Sequence, residues 1–316
     1  MDYLSAFGQK NYNYYSAYLR NKYQGKSVYK VIVDAGFTCP NRDGSKGFGG
    51  CTYCNVDSFT PLSRNLESFK EQISYSIERA AKNYKAEKFI IYFQPNTNTY
   101  APVNELKKIY DEALSINPEK IVGLSVGTRP DCIDQEKIEL LESYKNRGLE
   151  VDLEMGMESI YDKTLVTINR GCSHEEFVKT MQLLENTSLE ICIHTILGLP
   201  GETKEMLLAY AHEINKFPQI KFVKFHHLHI VEGSILGVKY KRNPFPLFTL
   251  EEYTDLLCDL LPLLRPDIVI QRLFGLSDLE MLIAPKWEKK KSEIQHYIDS
   301  EFKKRNIVQG SQFSLI

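Results

Sequence analysis

Six times along the chain, a short run rich in β-branched and aromatic residues gives way to a longer segment with helical spacing. The runs are YKVIVD from Tyr29, KFIIYF from Lys88, KIVGLSVG from Lys120, LEVDLEM from Leu149, LEICIHTILG from Leu189 and KFVKFHHLHI from Lys221. The helical segments are expected at 66–84, 103–116, 134–146, 174–186, 203–216 and 249–261. Parallel strands need crossovers of this length, and such crossovers are right-handed almost without exception. The alternation therefore predicts an α/β fold in which six βα units curl into a partial (βα)6 TIM-like barrel. Residues 1–28 would form an N-terminal extension, 29–265 the core and 266–316 a C-terminal extension covering the barrel. With 316 residues, 43% of them hydrophobic, the chain can bury such a core.

In α/β barrels, reactive groups gather at the carboxyl ends of the strands. The first strand end here leads into the stretch CPNRDGSKGFGGCTYC, and the second reaches Gln94. The third carries Thr128, Arg129 and Asp131, and the fourth Glu154 and Glu158. His194 stands on the fifth, and His226, His227 and His229 on the sixth. A single buried His or Glu is most simply explained as hydrogen-bonded structure. Polar groups at every strand end make this rim the candidate site.

Cys39, Cys51 and Cys54 hold three of the seven cysteines in one loop, with eleven residues between the first two and two between the last two. The opening segment lacks the apolar core of a secretory signal, and no apolar run is long enough to cross a bilayer. A cytoplasmic protein is expected, where clustered cysteines point to metal ligation rather than a disulfide framework. Three ligands fall one short of a closed zinc site. They would suit an iron–sulfur cluster with one iron left open, while zinc completed by a distant histidine stays compatible with the spacing. Gly44, Gly47, Gly49 and Gly50 let the backbone wrap closely, and Tyr53 would cover the metal. Cys132, Cys172, Cys192 and Cys258 are scattered and read as small buried residues.

The segments CPNRDGSKGFGGCTYC, FQPNTNTYAP, GTRPDC, INRGC, HTILGLPGET, KFHHLHI, QRLFG and LIAPKW, in this order, resemble the radical S-adenosylmethionine (SAM) superfamily. The resemblance is to the branch of the Elongator catalytic subunit and the oxygen-independent coproporphyrinogen oxidases, and within it to the YtqA/YhcC family, also called MnmL. It implies a radical SAM barrel in which Cys39, Cys51 and Cys54 hold a 4Fe-4S cluster that binds SAM through its free iron. One electron would then cleave SAM to methionine and a 5'-deoxyadenosyl radical, which abstracts a substrate hydrogen. The usual superfamily loop has three residues, not eleven, between its first two cysteines. Gln94 stands where relatives carry a Gly-Gly-Glu-like stretch that meets the methionine amino group. Glu158 matches a ribose-binding position, and Arg170 an arginine that pairs with the methionine carboxylate. His194 replaces an acidic ribose ligand, and Ile196 is expected to face adenine. Arg129, Asp131, Glu154, His226, His229 and Arg272 remain as candidates for the substrate pocket, with no general base assigned among them.

The same resemblance implies a tRNA substrate, with the carboxymethylaminomethyl group at C5 of the wobble uridine converted to aminomethyl, and a reductant such as flavodoxin or ferredoxin. The alternatives are a radical SAM enzyme acting on a small metabolite such as a porphyrin precursor, or a non-catalytic metal-bearing scaffold that binds RNA. A formal net charge of −2 gives no global pull toward nucleic acid. Two local patches, KNYNYYSAYLRNKYQGKSVYK and PKWEKKKSEIQHYIDSEFKKR with the lone Trp287, combine cations with rings able to stack on bases. Solvated amphipathic helices explain both patches as well.

Overall fold

The computed structural model describes residues 7, 10–59 and 68–314. Residues 66 and 67 of the helix expected after the first strand, residues 1–6, 8 and 9 of the N-terminal extension and the last two residues of the C-terminal extension lie outside the described residues. In chain order the elements are α1 (Tyr15–Lys22), β1 (Val28–Val33), α2 (Phe69–Tyr84), β2 (Lys88–Phe93), α3 (Val103–Ser115), β3 (Ile121–Thr128), α4 (Gln135–Lys145), β4 (Glu150–Glu158), α5 (Asp162–Thr167), α6 (His174–Leu183), β5 (Glu190–Leu197) and α7 (Lys204–Asn215). There follow β6 (Ile220–His227), β7 (Ile230–Val231), α8 (Ile235–Arg242), α9 (Leu250–Leu260), β8 (Val269–Arg272), β9 (Leu282–Ala284) and α10 (Lys291–Lys304).

All six expected strands form, and each pairs in parallel with its predecessor. β8 pairs in parallel with β6 as a seventh strand, drawn from residues expected only to cover the barrel. Four residues are too few for a pattern to distinguish such a strand from a loop. The sixth strand stops at His227 rather than Ile230, because Ile230 and Val231 leave the sheet to pair antiparallel with β9. Helix starts move one residue inward where Asp134, Thr203 and Thr249 act as N-caps, each side chain accepting from a backbone N–H of the first turn.

Alternation along the strands sorts the side chains into two environments. On β4, Val151, Leu153 and Met155 join the main apolar core, where Tyr144, Phe177 and Leu207 from the helices also pack. Asp152 and Glu154 point the other way. Lys30 on β1 reaches Asp152 at 2.6 Å, Glu154 at 2.7 Å and Gln271 on β8 at 3.3 Å. In a flat sheet with strands about 4.8 Å apart, β1 would stand roughly 14 Å from β4 and 29 Å from β8. The sheet is therefore curled into a half-barrel with polar groups inside. α1 packs on both edge strands, β1 and β8.

Candidate active site

β1 feeds the cysteine loop. The Cys39 carbonyl accepts from the Arg42 and Asp43 N–H groups at 2.8 and 3.1 Å, and the Gly50 N–H donates to the Asn41 carbonyl at 2.8 Å. Asp43 and Phe48 form an antiparallel bridge. The eleven-residue spacer is thus a small closed excursion that returns the chain to the start of the loop. INRGC is its cradle. The Asn169 amide donates to the Phe48 and Gly50 carbonyls, the Asn41 amide donates back to the Asn169 carbonyl at 2.6 Å, and the Thr52 N–H donates to the Ile168 carbonyl. Gly171, at φ +60°, sits so close that a Cβ there would lie 2.7 Å from Asn41 Oδ1.

All three loop cysteines are free thiols. Arg42 approaches the Cys54 sulfur at 3.2 Å, while Asn41 and Arg170 each approach the Cys51 sulfur at 3.8 Å. Burial pushes the Cys54 thiol up to about 11, with Cys51 adding to the rise and Arg42 opposing it. A thiol so placed is a poor free nucleophile, and a bound metal is what would hold it deprotonated. The sulfurs of one tetrahedral zinc ion, at Zn–S distances of ~2.3 Å, lie about 3.8 Å apart. Among the described residues, the sets of three ligand atoms lying within 4.8 Å of one another contain none of the loop cysteines, with or without a histidine. The wider spacing and the N–H donors aimed at sulfur fit an iron–sulfur cluster better than a single ion.

The loop opens onto a cavity of about 400 Å³ at the strand ends. Of the candidate ligand, SAM-contact and substrate-pocket residues named from the sequence, all but Asp131 line it. Asp131 accepts from Arg129 Nε and Nη2 at 2.8 and 2.9 Å, and pairs with Lys46 at 2.7 Å. Arg129 also donates to the Arg170 and Gly171 carbonyls, both at 2.9 Å. Arg129 borders the cavity, and its pair with Asp131 braces the INRGC turn. Gln94 follows β2, and the turn after it is pinned by the Asn98 amide, which donates to the Phe93, Pro95 and Gly127 carbonyls, each at 3.0 Å.

Arg170 is buried and donates to the Gly156 carbonyl at 2.6 Å, with Glu158 Oε1 3.9 Å from its guanidinium. Glu158 occupies the left-handed region at φ +61°, just after a register shift and at the last pair of β4 with β5. Non-glycine residues are held there only when their surroundings over-determine it. Gly156 makes room for the pair, since a Cβ on it would lie 2.5 Å from Glu158 Oε1 and 2.8 Å from Arg170 Nη2. Gly156→Ala is expected to displace both side chains and weaken SAM binding by about tenfold or more, while leaving iron incorporation unchanged. Equilibrium dialysis and iron analysis together check this; undiminished SAM affinity would contradict it.

Below the cavity lies an ionic network that the sequence reading missed. Glu154 accepts from Lys30 and Ser125 on one oxygen, and pairs with Lys224 and with His194 Nε2, at 2.7 Å, on the other. Asp152 takes Lys30 at 2.6 Å and the Ser125 hydroxyl at 2.8 Å. Burial alone would push Glu154 up, but Lys224 and Lys30 outweigh it and hold the carboxyl well below its usual range. Burial lowers Lys224 and His194, in each case against the pull of Glu154. Glu154 therefore ties the cavity floor together. The only sequence trace of this network is the presence of Lys30 and Lys224 within the otherwise largely apolar strands β1 and β6.

His227 stacks on Trp287 with ring centroids 3.9 Å apart and lies 2.8 Å, Nε2 to Nε2, from His229. The Trp287 N–H donates to the Phe248 carbonyl. Tyr15 and Tyr18 pack edge-on against Phe222, and Tyr12 against Phe302. These rings of the two aromatic-cationic patches are engaged in internal packing. No described helix is long and apolar enough to cross a membrane.

Three cysteines in a braced loop at the mouth of a curled parallel sheet define a radical SAM site, and the comparisons agree. Residues 39–214 match the Radical SAM superfamily and 220–304 the Radical_SAM C-terminal domain, and the chain belongs to that superfamily. Within it, the chain is 37% identical over 279 residues to protein YhcC of Escherichia coli K12, covering 88% of either chain. It is 31% identical over 156 residues to the tRNA uridine(34) acetyltransferase of Methanocaldococcus infernus, a match spanning 48% of this chain and 28% of that one. The solved Elp3 of Methanocaldococcus infernus shares the fold, with a TM-score of 0.67 and 21% identity over 90% of this chain and 64% of that chain. Membership implies a 4Fe-4S cluster and SAM as cofactors.

Proposed function

We propose that this radical SAM enzyme modifies tRNA at the wobble uridine, converting the carboxymethylaminomethyl group at C5 to aminomethyl and releasing its two-carbon acid as glyoxylate, with SAM as the net two-electron oxidant and water supplying the aldehyde oxygen. The observation that carries the substrate class is the similarity across nearly half the chain to a tRNA uridine(34) acetyltransferase. With cluster and SAM bound, a one-electron reductant of the flavodoxin or ferredoxin kind yields the 5'-deoxyadenosyl radical. Cys39, Cys51 and Cys54 hold the cluster. Arg170 takes the methionine carboxylate and Gln94 its ammonium, Glu158 and His194 meet the ribose, and Ile196 supplies an apolar wall for adenine. The cavity is within the size range of small-ligand sites and leaves the His226–Arg272 side for a uridine substituent.

The test is anaerobic turnover with tRNA carrying the carboxymethylaminomethyl group, followed by nucleoside mass spectrometry. Loss of that nucleoside, gain of the aminomethyl one and matching 5'-deoxyadenosine are expected. Formation of 5'-deoxyadenosine with the tRNA unchanged would overturn the substrate. Raising salt from about 50 to 200 mM is expected to weaken tRNA binding at least about tenfold, as counterion release requires of even a few phosphate contacts. Salt-independent affinity would contradict a phosphate-led interface.

A further inference from the structure

Five Lys and Arg side chains line the cavity. Four are engaged: Arg42 with the Cys54 carbonyl and sulfur, Arg129 with Asp131, Arg170 with the Gly156 carbonyl, and Lys224 with Glu154. Arg272, the last residue of β8, pairs through its backbone with Lys224, but its side chain makes no hydrogen bond or ion pair with any described residue. A guanidinium offers five N–H donors in a planar fork that suits a carboxylate.

The wall around it points the same way. His226 Nε2 and the Ser277 hydroxyl are buried and without a hydrogen-bond partner among the described residues, and both residues line the cavity. Buried polar atoms are seldom left unpaired, so two in the same cavity as an unpaired guanidinium mark a place built for a ligand. The backbone at Gly275 presses against both imidazoles, where a Cβ would lie 3.1 Å from His229 and 3.2 Å from His226. Burial and the Arg272 charge push His229 down to about 4 and hold His226 well below the usual histidine range, so both rings are neutral donors or acceptors. Of the two carboxylates lining the cavity, Glu154 is already bonded to Lys30, Lys224 and His194, and Glu158 lies 3.9 Å from the Arg170 guanidinium.

We propose that Arg272, with His226 and Ser277, forms a carboxylate-binding subsite for the substrate at the β6–β8 side of the cavity, separate from the Arg170 side against the cysteine loop. Resting on the wobble-uridine reading, its ligand is the terminal carboxylate of the carboxymethylaminomethyl arm. The substituent is thereby gripped by its far end, with the methylene beside the carboxylate held within the cavity. The aminomethyl product lacks the gripped group and is released.

The test compares two tRNAs and two small probes. Wild-type holoenzyme is expected to bind tRNA bearing carboxymethylaminomethyluridine at least about tenfold tighter than tRNA bearing aminomethyluridine, the scale of a charge-assisted bidentate contact. Arg272→Gln is expected to bring that ratio near one without weakening the aminomethyl tRNA. Arg272→Lys keeps charge but not the fork and falls between. N-methylglycine, the arm freed of uridine, is expected to shift the His226 and His229 imidazole NMR signals in the wild type but not in Arg272→Gln, and methylamine is expected to do neither. Unchanged SAM binding in both variants shows that the barrel is intact. Should neither tRNA bind while N-methylglycine still binds through Arg272, the subsite stands and the tRNA substrate falls. Equal binding of both tRNAs with silent imidazoles, or full discrimination kept by Arg272→Gln, overturns the subsite. So does a protein that binds neither tRNA nor N-methylglycine.

Discussion

Alanine at Cys39, Cys51 or Cys54 is expected to abolish SAM cleavage, with 5'-deoxyadenosine falling to the level of a no-enzyme control and iron content collapsing. Each sulfur is one of only three the loop offers, and four-iron clusters depend on thiolate ligation. The loop is closed by backbone and side-chain bonds from Asn41, Thr52 and Asn169 that do not involve the thiols. The apo fold should therefore survive, with circular dichroism and thermal midpoint close to wild type. Retention of SAM cleavage by any one of the three variants would remove that cysteine from the ligand set.

The second large effect concerns stability rather than chemistry. Glu154→Leu leaves Lys30 and Lys224 without the carboxylate that both contact inside the barrel, where Glu154 is 1% exposed. Breaking a buried ion pair from one side costs about 3–5 kcal/mol, since an uncompensated charge stays in low dielectric. For a chain of this size that lowers the thermal midpoint by roughly 10 °C. Asp152 still faces Lys30, so the orphaned charge is mainly Lys224. Adding Lys224→Met is therefore expected to recover much of the loss, a coupling that a double-mutant cycle measures directly. Equal midpoints for wild type and Glu154→Leu would contradict this account of the barrel floor.

The six strands were legible because β-branched runs such as KFIIYF and LEICIHTIL face apolar layers and alternate with helices of crossover length. Asp134, Thr203 and Thr249 looked helical from their positions but cap the helices from outside. Val269–Arg272 escaped notice because a four-residue strand gains its identity from β6, a partner some forty residues earlier in the chain. Lys30 and Lys224 were passed over for a related reason. A lysine within a strand reads as solvent-facing until the sheet curls and carries β1, β4 and β6 to a common interior. That Gln94, Glu154, His194 and His226 would stand at one rim was legible because a strand's carboxyl end is a sequence position. Whether Asp131 faces a ligand or Arg129, and whether Trp287 meets a base or His227, depends on contacts between distant segments.

The nature of the metal in the cysteine loop decides whether this cavity supports radical chemistry. The direct measurement is metal and sulfide analysis of anaerobically reconstituted protein, joined to electron paramagnetic resonance of the reduced form with and without SAM. About four irons per chain are predicted, with a reduced-cluster signal that changes when SAM is added because one iron is open to it. A single zinc ion per chain, or a cluster signal indifferent to SAM, would contradict the assignment of this cavity to radical chemistry.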